Sequence, residues 1–140
     1  MRTLLQIKLP AKLENLGRWM GAVSECAMKQ GLDQKKISHI ELALEEALVN
    51  ICSYSYPQEP GHAEVICKQD NSRFIIEIID SGIPFDITSL PTPDITSSIE
   101  KRKIGGLGIF LIKKMVDDVS YRREGNFNIL NLTMKRSEEK

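Results

Sequence analysis

The chain has 140 residues, which is enough for one domain with a single hydrophobic core and too few for two independent cores. Its 19 basic and 19 acidic residues cancel, so the overall charge gives no reason to expect nucleic acid or an anionic membrane as the main partner. Three widely spaced cysteines, Cys26, Cys52 and Cys67, and only two histidines argue against a disulfide framework and against a zinc site. Nothing at the amino terminus resembles a signal peptide, and no apolar run approaches the ~18 residues of a membrane span, so we expect a cytoplasmic protein.

The first part of the chain is predicted to form a strand and two helices. Alternating apolar residues indicate a strand that Pro10 ends, and helical periodicity follows over about 12–30. Asp33 is a candidate N-cap for a second helix that runs to about Ser53. The expected buried stripe of the first helix is Leu13, Leu16, Met20, Val23 and Ala27.

The second part is predicted to form a hairpin, a long loop, a helix and two more strands. The second strand of the hairpin is apolar on both faces, which places it at the centre of a sheet. The segment 87–104 combines prolines, serines and a basic run, a composition typical of a mobile loop, and its length favours a functional lid. The predicted elements are strands over 62–69 and 73–80, a helix from 105 to about 116, a strand over 119–123, a turn at 125–126 and a strand ending at 134.

Glu46 and Asn50 lie four residues apart on the second helix, on the side opposite its main apolar stripe. Exposed positions such as Glu41 and Glu45 supply the solvated edge, so the pair is expected to look into a cleft where polar side chains need partners. A carboxylate and a carboxamide at this spacing suit chemistry on a metal-bound nucleotide. The alternative is an ordinary hydrogen-bonded pair on a surface helix.

Asp80 ends the central strand, and Gly82 follows two residues later. A carboxylate at this place can accept a hydrogen bond from an exocyclic amine such as adenine N6, and a glycine lets the backbone approach the ring. A strand end with a tight turn is the alternative.

Gly105, Gly106 and Gly108 open the apolar helix that follows the predicted lid. A helix start without side chains presents free N–H groups to phosphate, although neither a Walker loop nor a dinucleotide fingerprint is present. The basic run 101–103 directly upstream can fold over a triphosphate, or its charges are simply solvated.

The order and spacing of the three segments resemble the GHKL ATPase superfamily, with its E-x-x-x-N box, its D-x-G-x-P box and its glycine-rich box. Within that superfamily the chain looks like the bacterial anti-sigma factor serine kinases over nearly its whole length. The resemblance implies a single domain over 1–140 with the Bergerat fold, an α/β two-layer sandwich of a mixed, mostly antiparallel sheet with helices on one face and a mobile ATP lid. One position departs from the pattern, because Tyr54 stands where relatives often carry histidine.

The resemblance also implies cofactors and residue roles. It implies ATP or ADP with Mg²⁺, Glu46 as catalytic base and Asn50 as the metal ligand that also contacts the nucleotide. The other implied nucleotide-binding residues are Asp80, Gly82, Lys103, Gly105, Gly106 and Gly108.

The implied activity is serine/threonine protein kinase activity toward a STAS-domain anti-sigma factor antagonist, with sequestration of a sigma factor as a further option and Arg18 as a docking residue. A homodimer is expected. The alternative is a nucleotide-gated switch of the same fold with little or no transfer. A histidine kinase is disfavoured because 140 residues leave no space for a dimerisation helix pair that carries an acceptor histidine.

Overall fold

The computed structural model describes residues 1–89 and 106–136. Most of the predicted lid, together with Lys103 and Gly105, lies outside these residues. Two short 3₁₀ turns, Leu13–Asn15 and Ile87–Ser89, accompany the main elements. The main elements are β1 (Arg2–Pro10), α1 (Leu16–Lys29), α2 (Gln34–Asn50), a π-helical turn (Ile51–Ser55), β2 (His62–Gln69), β3 (Arg73–Asp80), α3 (Gly106–Met115), β4 (Asp118–Glu124) and β5 (Phe127–Lys135).

The five strands form one sheet in the order β1-β2-β3-β5-β4. β3 is at the centre, as the apolar pattern on both of its faces predicts. All four pairings are antiparallel, so the sheet contains no parallel pair within the described residues, where a mixed and mostly antiparallel sheet was expected. The predicted α/β sandwich is confirmed.

The helices cover one face of this sheet. Side chains that alternate along the strands, such as Cys67, Ile76 and Leu132, join buried residues of the three helices in a single core. The other face carries charge at its centre: Glu77 pairs with Lys68 at 3.2 Å and with Arg122 at 3.6 Å. The two faces therefore differ as expected for a sheet with one covered side.

The buried stripe of α1 differs in part from its prediction. Val23 and Ala27 are fully buried, but Leu13 is 56% exposed and Trp19 is the large side chain that the core contains. The reason is that the α-helix begins only at Leu16, after the 3₁₀ turn, so Leu13 is not in phase with the helical stripe.

The start of α2 follows the prediction, and its end does not. The carboxylate of Asp33 accepts the Lys36 N–H at 2.8 Å, which is an N-cap. The α-helix ends at Asn50, and the chain then widens into the π-helical turn, where an α-helix to about Ser53 was predicted. Such turns are uncommon and recur at functional sites. No helix in the described parts of the chain is long and apolar enough to cross a membrane.

Candidate functional site

The last turn of α2 orients Asn50. Nδ2 of Asn50 donates to the backbone carbonyl of Glu46 at 3.0 Å, which leaves Oδ1 of Asn50 on the other side of the carboxamide. Within the described residues, Oδ1 accepts no hydrogen bond. An available carboxamide oxygen is a hard ligand of the kind that Mg²⁺ prefers, so Asn50 fits the predicted metal role.

Glu46 is half-buried beneath the first turns of α3. A Cβ on Gly108 would come within 2.9 Å of its Oε1, so this glycine lets α3 pack directly on the carboxylate. Burial, followed by the charge of Glu45, raises the pKa of Glu46. A raised pKa makes the carboxylate a better proton acceptor, which is the property a general base needs.

Asp80 is buried at the end of β3, with 6% of its surface exposed. Its Oδ1 accepts the Gly82 N–H at 2.8 Å and Nδ2 of Asn128 at 2.9 Å. Burial raises the pKa of Asp80 in spite of these donors, since they only partly offset the loss of water. A carboxylate has more acceptor sites than these two donors use, so it can still accept from a ligand.

Gly82 is required for a reason that the sequence does not reveal. A Cβ at this position would clash with the backbone oxygen of Ser55, in the π-helical turn. The same oxygen accepts the Ile83 N–H at 3.0 Å. The hydroxyl of Tyr56 accepts the Ser81 N–H at 2.8 Å and donates to the carbonyl of His62. The end of α2 and the turn after β3 are thus fixed to each other.

A cleft that is open to solvent lies between these two segments. Asn50 and Asp80 both line it, together with the apolar side chains of Ile78, Phe85 and Leu130. An apolar cleft with a few convergent polar groups is typical of a small-molecule site. Glu46 is one helical turn before Asn50 and is not among the lining residues.

Sequence reasoning missed the polar residues behind Asp80. Asn128 lies opposite Asp80 in the β3–β5 register and accepts the hydroxyl of Tyr121 at 2.6 Å. Arg123 donates from Nη1 to Asn128 at 3.2 Å and to the carbonyl of Gly82 at 3.0 Å. One signal was available, because strand alternation puts Asn128 on the same face as Leu130 and Leu132, where a polar residue needs a partner.

The remaining predicted site residues lie in different places. Gly106 is the first residue of α3, directly before the helical turn that contains Gly108. Lys103 and Gly105 fall outside the described residues. Arg18 is exposed on α1, and Tyr54 is 54% exposed in the π-helical turn.

A sequence profile of the histidine kinase-like ATPase domain matches residues 9–134 of the chain. The chain belongs to this family. The family implies nucleotide binding.

Among curated proteins, the chain is 25% identical over 130 residues to the serine-protein kinase RsbW of Bacillus cereus strain AH820, covering 90% of this chain and 81% of that protein. The RsbW protein of Bacillus cereus strain G9842 is 26% identical over the same length. These relatives support the likeness to anti-sigma factor serine kinases.

Two solved structures share the fold of this histidine kinase-like domain. The structure of the RsbU and RsbW domains of a Mycobacterium tuberculosis protein matches 96% of the chain with a TM-score of 0.66 and 16% identity. The chain spans 33% of that protein's chain. The Acinetobacter baumannii histidine kinase AdeS matches with a TM-score of 0.52 and 13% identity, over 96% of this chain and 70% of its own.

Proposed function

We propose that the chain is an ATP-dependent serine/threonine protein kinase of the anti-sigma factor type, with residues 1–140 as one catalytic domain. The observation that carries the proposal is the arrangement of α2: Asn50 lines the same cleft as Asp80, and Glu46 lies one turn away beneath the glycine start of α3. A module that only binds nucleotide has no need of a base, whereas the relatives that cover most of the chain are named serine-protein kinases.

Asp80 would hold the adenine ring. Its buried carboxylate would accept the exocyclic amine, and the apolar side chains of Ile78 and Leu130 would border the ring. Gly82 would contribute by keeping the turn beside Asp80 in place, since its N–H donates to that carboxylate.

The phosphates would lie between α2 and the start of α3. Gly105, Gly106 and Gly108 would offer backbone N–H groups at a helix start, and Lys103 would add a positive charge. Oδ1 of Asn50 would ligate Mg²⁺. When bound, this ion supplies positive charge to the phosphate oxygens.

In the transfer step, a partner's serine or threonine hydroxyl attacks the γ-phosphorus. The new O–P bond forms as the bond to the ADP oxygen breaks, and Glu46 accepts the hydroxyl proton. Its raised pKa favours that acceptance.

The proposed protein substrate is a STAS-domain anti-sigma factor antagonist. A sigma factor is proposed as a second partner, and a homodimer as the assembly. Arg18 is the proposed docking residue, because it is exposed on α1 and an arginine can make two parallel hydrogen bonds to a carboxylate.

The test is phosphoryl transfer from labelled ATP to a purified STAS-domain partner. Glu46→Gln should bind ATP normally and transfer at a rate lower by about 10² or more. Glu14→Gln is the control, because this carboxylate is exposed in the 3₁₀ turn before α1, away from Glu46. Normal transfer by Glu46→Gln would refute the base assignment, and ATP binding without transfer by the wild type would indicate a nucleotide-gated switch.

A further inference from the structure

Two cysteine thiols meet between α1 and β2, away from the nucleotide cleft. Cys26 is half-buried on α1, and Cys67 is fully buried on the core face of β2. Cys67 belongs to the hydrophobic core, and Cys26 packs against that core from α1. The third cysteine, Cys52, lies in the π-helical turn and is half-buried.

The register of the two elements places these two cysteines opposite each other. Gln69 donates from Nε2 to Oε1 of Gln30 at 2.7 Å. Gln30 follows Cys26 by one helical turn, and Gln69 follows Cys67 by two strand residues on the same face. A helical turn and two strand residues each advance roughly 6 Å along the interface. The residues one such step before Gln30 and Gln69 are Cys26 and Cys67, so these two are also opposite each other.

The end of α1 is held firmly at this place. The Leu32 N–H donates to the carbonyl of Ala27 at 3.2 Å, which closes the helix end. Arg136, just beyond β5, donates from Nη2 to the carbonyl of Gln30 at 3.1 Å. The two thiols therefore belong to a fixed interface.

The two thiols are not equivalent. The hydrogen bond from Cys67, and secondarily the charge of Lys29, lower the pKa of Cys26. The hydrogen bond with Cys26 and burial raise the pKa of Cys67. Burial also raises the pKa of Cys52. Because the thiolate is the nucleophile, Cys26 is the thiol that reacts first.

We propose that Cys26 and Cys67 are a peroxide-oxidised pair that closes an intrachain disulfide between α1 and β2. Hydrogen peroxide is the oxidant. The Cys26 thiolate attacks one peroxide oxygen, the O–O bond breaks, and Cys26 becomes a sulfenic acid as hydroxide leaves. Sγ of Cys67 then attacks Sγ of Cys26, the S–S bond forms and water leaves, with the Cys67 proton going to the departing oxygen.

The experiment treats the folded full chain with hydrogen peroxide, blocks the remaining thiols with a maleimide and maps the peptides by mass spectrometry. We expect the wild type to lose two hydrogens, to keep Cys52 free and to yield one peptide pair linked through Cys26 and Cys67. The loss of the Cys26 thiol should be about tenfold faster than that of Cys52.

Three variants make the test specific. Cys52→Ser, the matched control, should form the link as the wild type does. Cys26→Ser should form none and leave Cys67 free. Cys67→Ala should stop at a Cys26 sulfenic acid, which dimedone traps.

Cys26→Ser changes a half-buried position, so it keeps the test valid even where Cys67→Ala fails to fold. The proposal is overturned by three free thiols in the treated wild type, by a link that requires Cys52, or by disulfides only between chains.

Discussion

Asn128 donates its side-chain N–H to the Asp80 carboxylate at 2.9 Å from the directly opposite position on the neighbouring strand. The same side chain donates to the carbonyl of Ile83 at 2.9 Å. Its own oxygen accepts from Tyr121 and Arg123. One carboxamide thus joins β3, β4, β5 and the turn after β3, and it orients the carboxylate that lines the cleft.

Replacement of Asn128 by alanine should weaken both folding and nucleotide binding. The buried Asp80 carboxylate would lose one of its donors, and the Tyr121 hydroxyl would lose its acceptor, so we expect a cost of about 1–3 kcal/mol in the free energy of unfolding. Urea denaturation measures that cost, and calorimetry with ADP measures the affinity. Asn126→Ala, in the exposed turn before β5, is the control. Unchanged ADP affinity in a folded Asn128→Ala protein would contradict the orienting role.

Asp80→Asn should separate stability from binding. An amide keeps an oxygen for the Gly82 and Asn128 donors, but it presents N–H where the proposed adenine amine needs an acceptor, so most ADP affinity should be lost. Calorimetry decides this point, with Asp118→Asn on the exposed edge of β4 as the control. ADP binding like that of the wild type would remove Asp80 from the adenine site.

The stability of Asp80→Asn should depend on pH in a defined direction. Burial raises the pKa of Asp80 above 3.8, so the folded state binds this proton more tightly than the unfolded state does. The stability that the folded state gains from protonation of Asp80 is present at low pH, and it is lost as the pH rises through the pKa of Asp80 in the folded state. The variant has no such loss, so its melting temperature should exceed that of the wild type at neutral pH, and the difference should shrink as the pH falls toward 3.8. An opposite trend would show that the hydrogen-bond donors outweigh burial.

Local patterns in the sequence were sufficient to predict most of the fold. The hairpin of β2 and β3 has the predicted bounds, and the stripe of α2 that includes Ile40 and Leu44 is buried. Leu13 was misassigned because a 3₁₀ turn before the helix changes the phase of the pattern. The central position of β3 followed from its composition alone.

The predictable part of the site was the part fixed by spacing along the chain. Four residues of helix bring Glu46 and Asn50 to one side of α2, and the strand end places Asp80. The role of Asn128 depends on the pairing of β3 with β5, and the need for Gly82 depends on the approach of Ser55 from a segment 27 residues earlier in the numbering. Such contacts between distant segments have no local pattern.

Gly108→Ala should reduce phosphoryl transfer while the protein remains folded. The new Cβ would come within 2.9 Å of Oε1 of Glu46. The carboxylate can relieve this contact only if its side chain shifts away from its present place. We expect a fall in the transfer rate of about tenfold or more, because small displacements of a catalytic group cost large factors. Alanine also favours helix by roughly 0.5–1 kcal/mol over glycine, so the melting temperature should not fall greatly.

Gly21→Ala is the control for Gly108→Ala, because a Cβ at Gly21, within α1, has no neighbour within 4 Å. It should be as stable as the wild type or more stable, and it should transfer phosphate normally. Normal transfer by Gly108→Ala would show that the position of the Glu46 carboxylate does not limit the reaction.

Arg18→Ala tests the proposed partner surface. Arg18 is exposed on α1, and the core side of that helix is formed by residues such as Trp19 and Val23, so the truncation should leave folding and ADP binding unchanged. Binding to a STAS-domain partner or a sigma factor should weaken by roughly 1–3 kcal/mol, the range for a charged interface anchor.

Lys29→Ala, further along the same helix and paired with Glu25 at 3.5 Å, is the matched control for the loss of one positive charge. Calorimetry against the same purified partner compares the three proteins. Equal affinities for wild type and Arg18→Ala would place the docking surface elsewhere, and an equal loss in both variants would indicate a general effect of charge, since a specific contact depends on the position of the arginine.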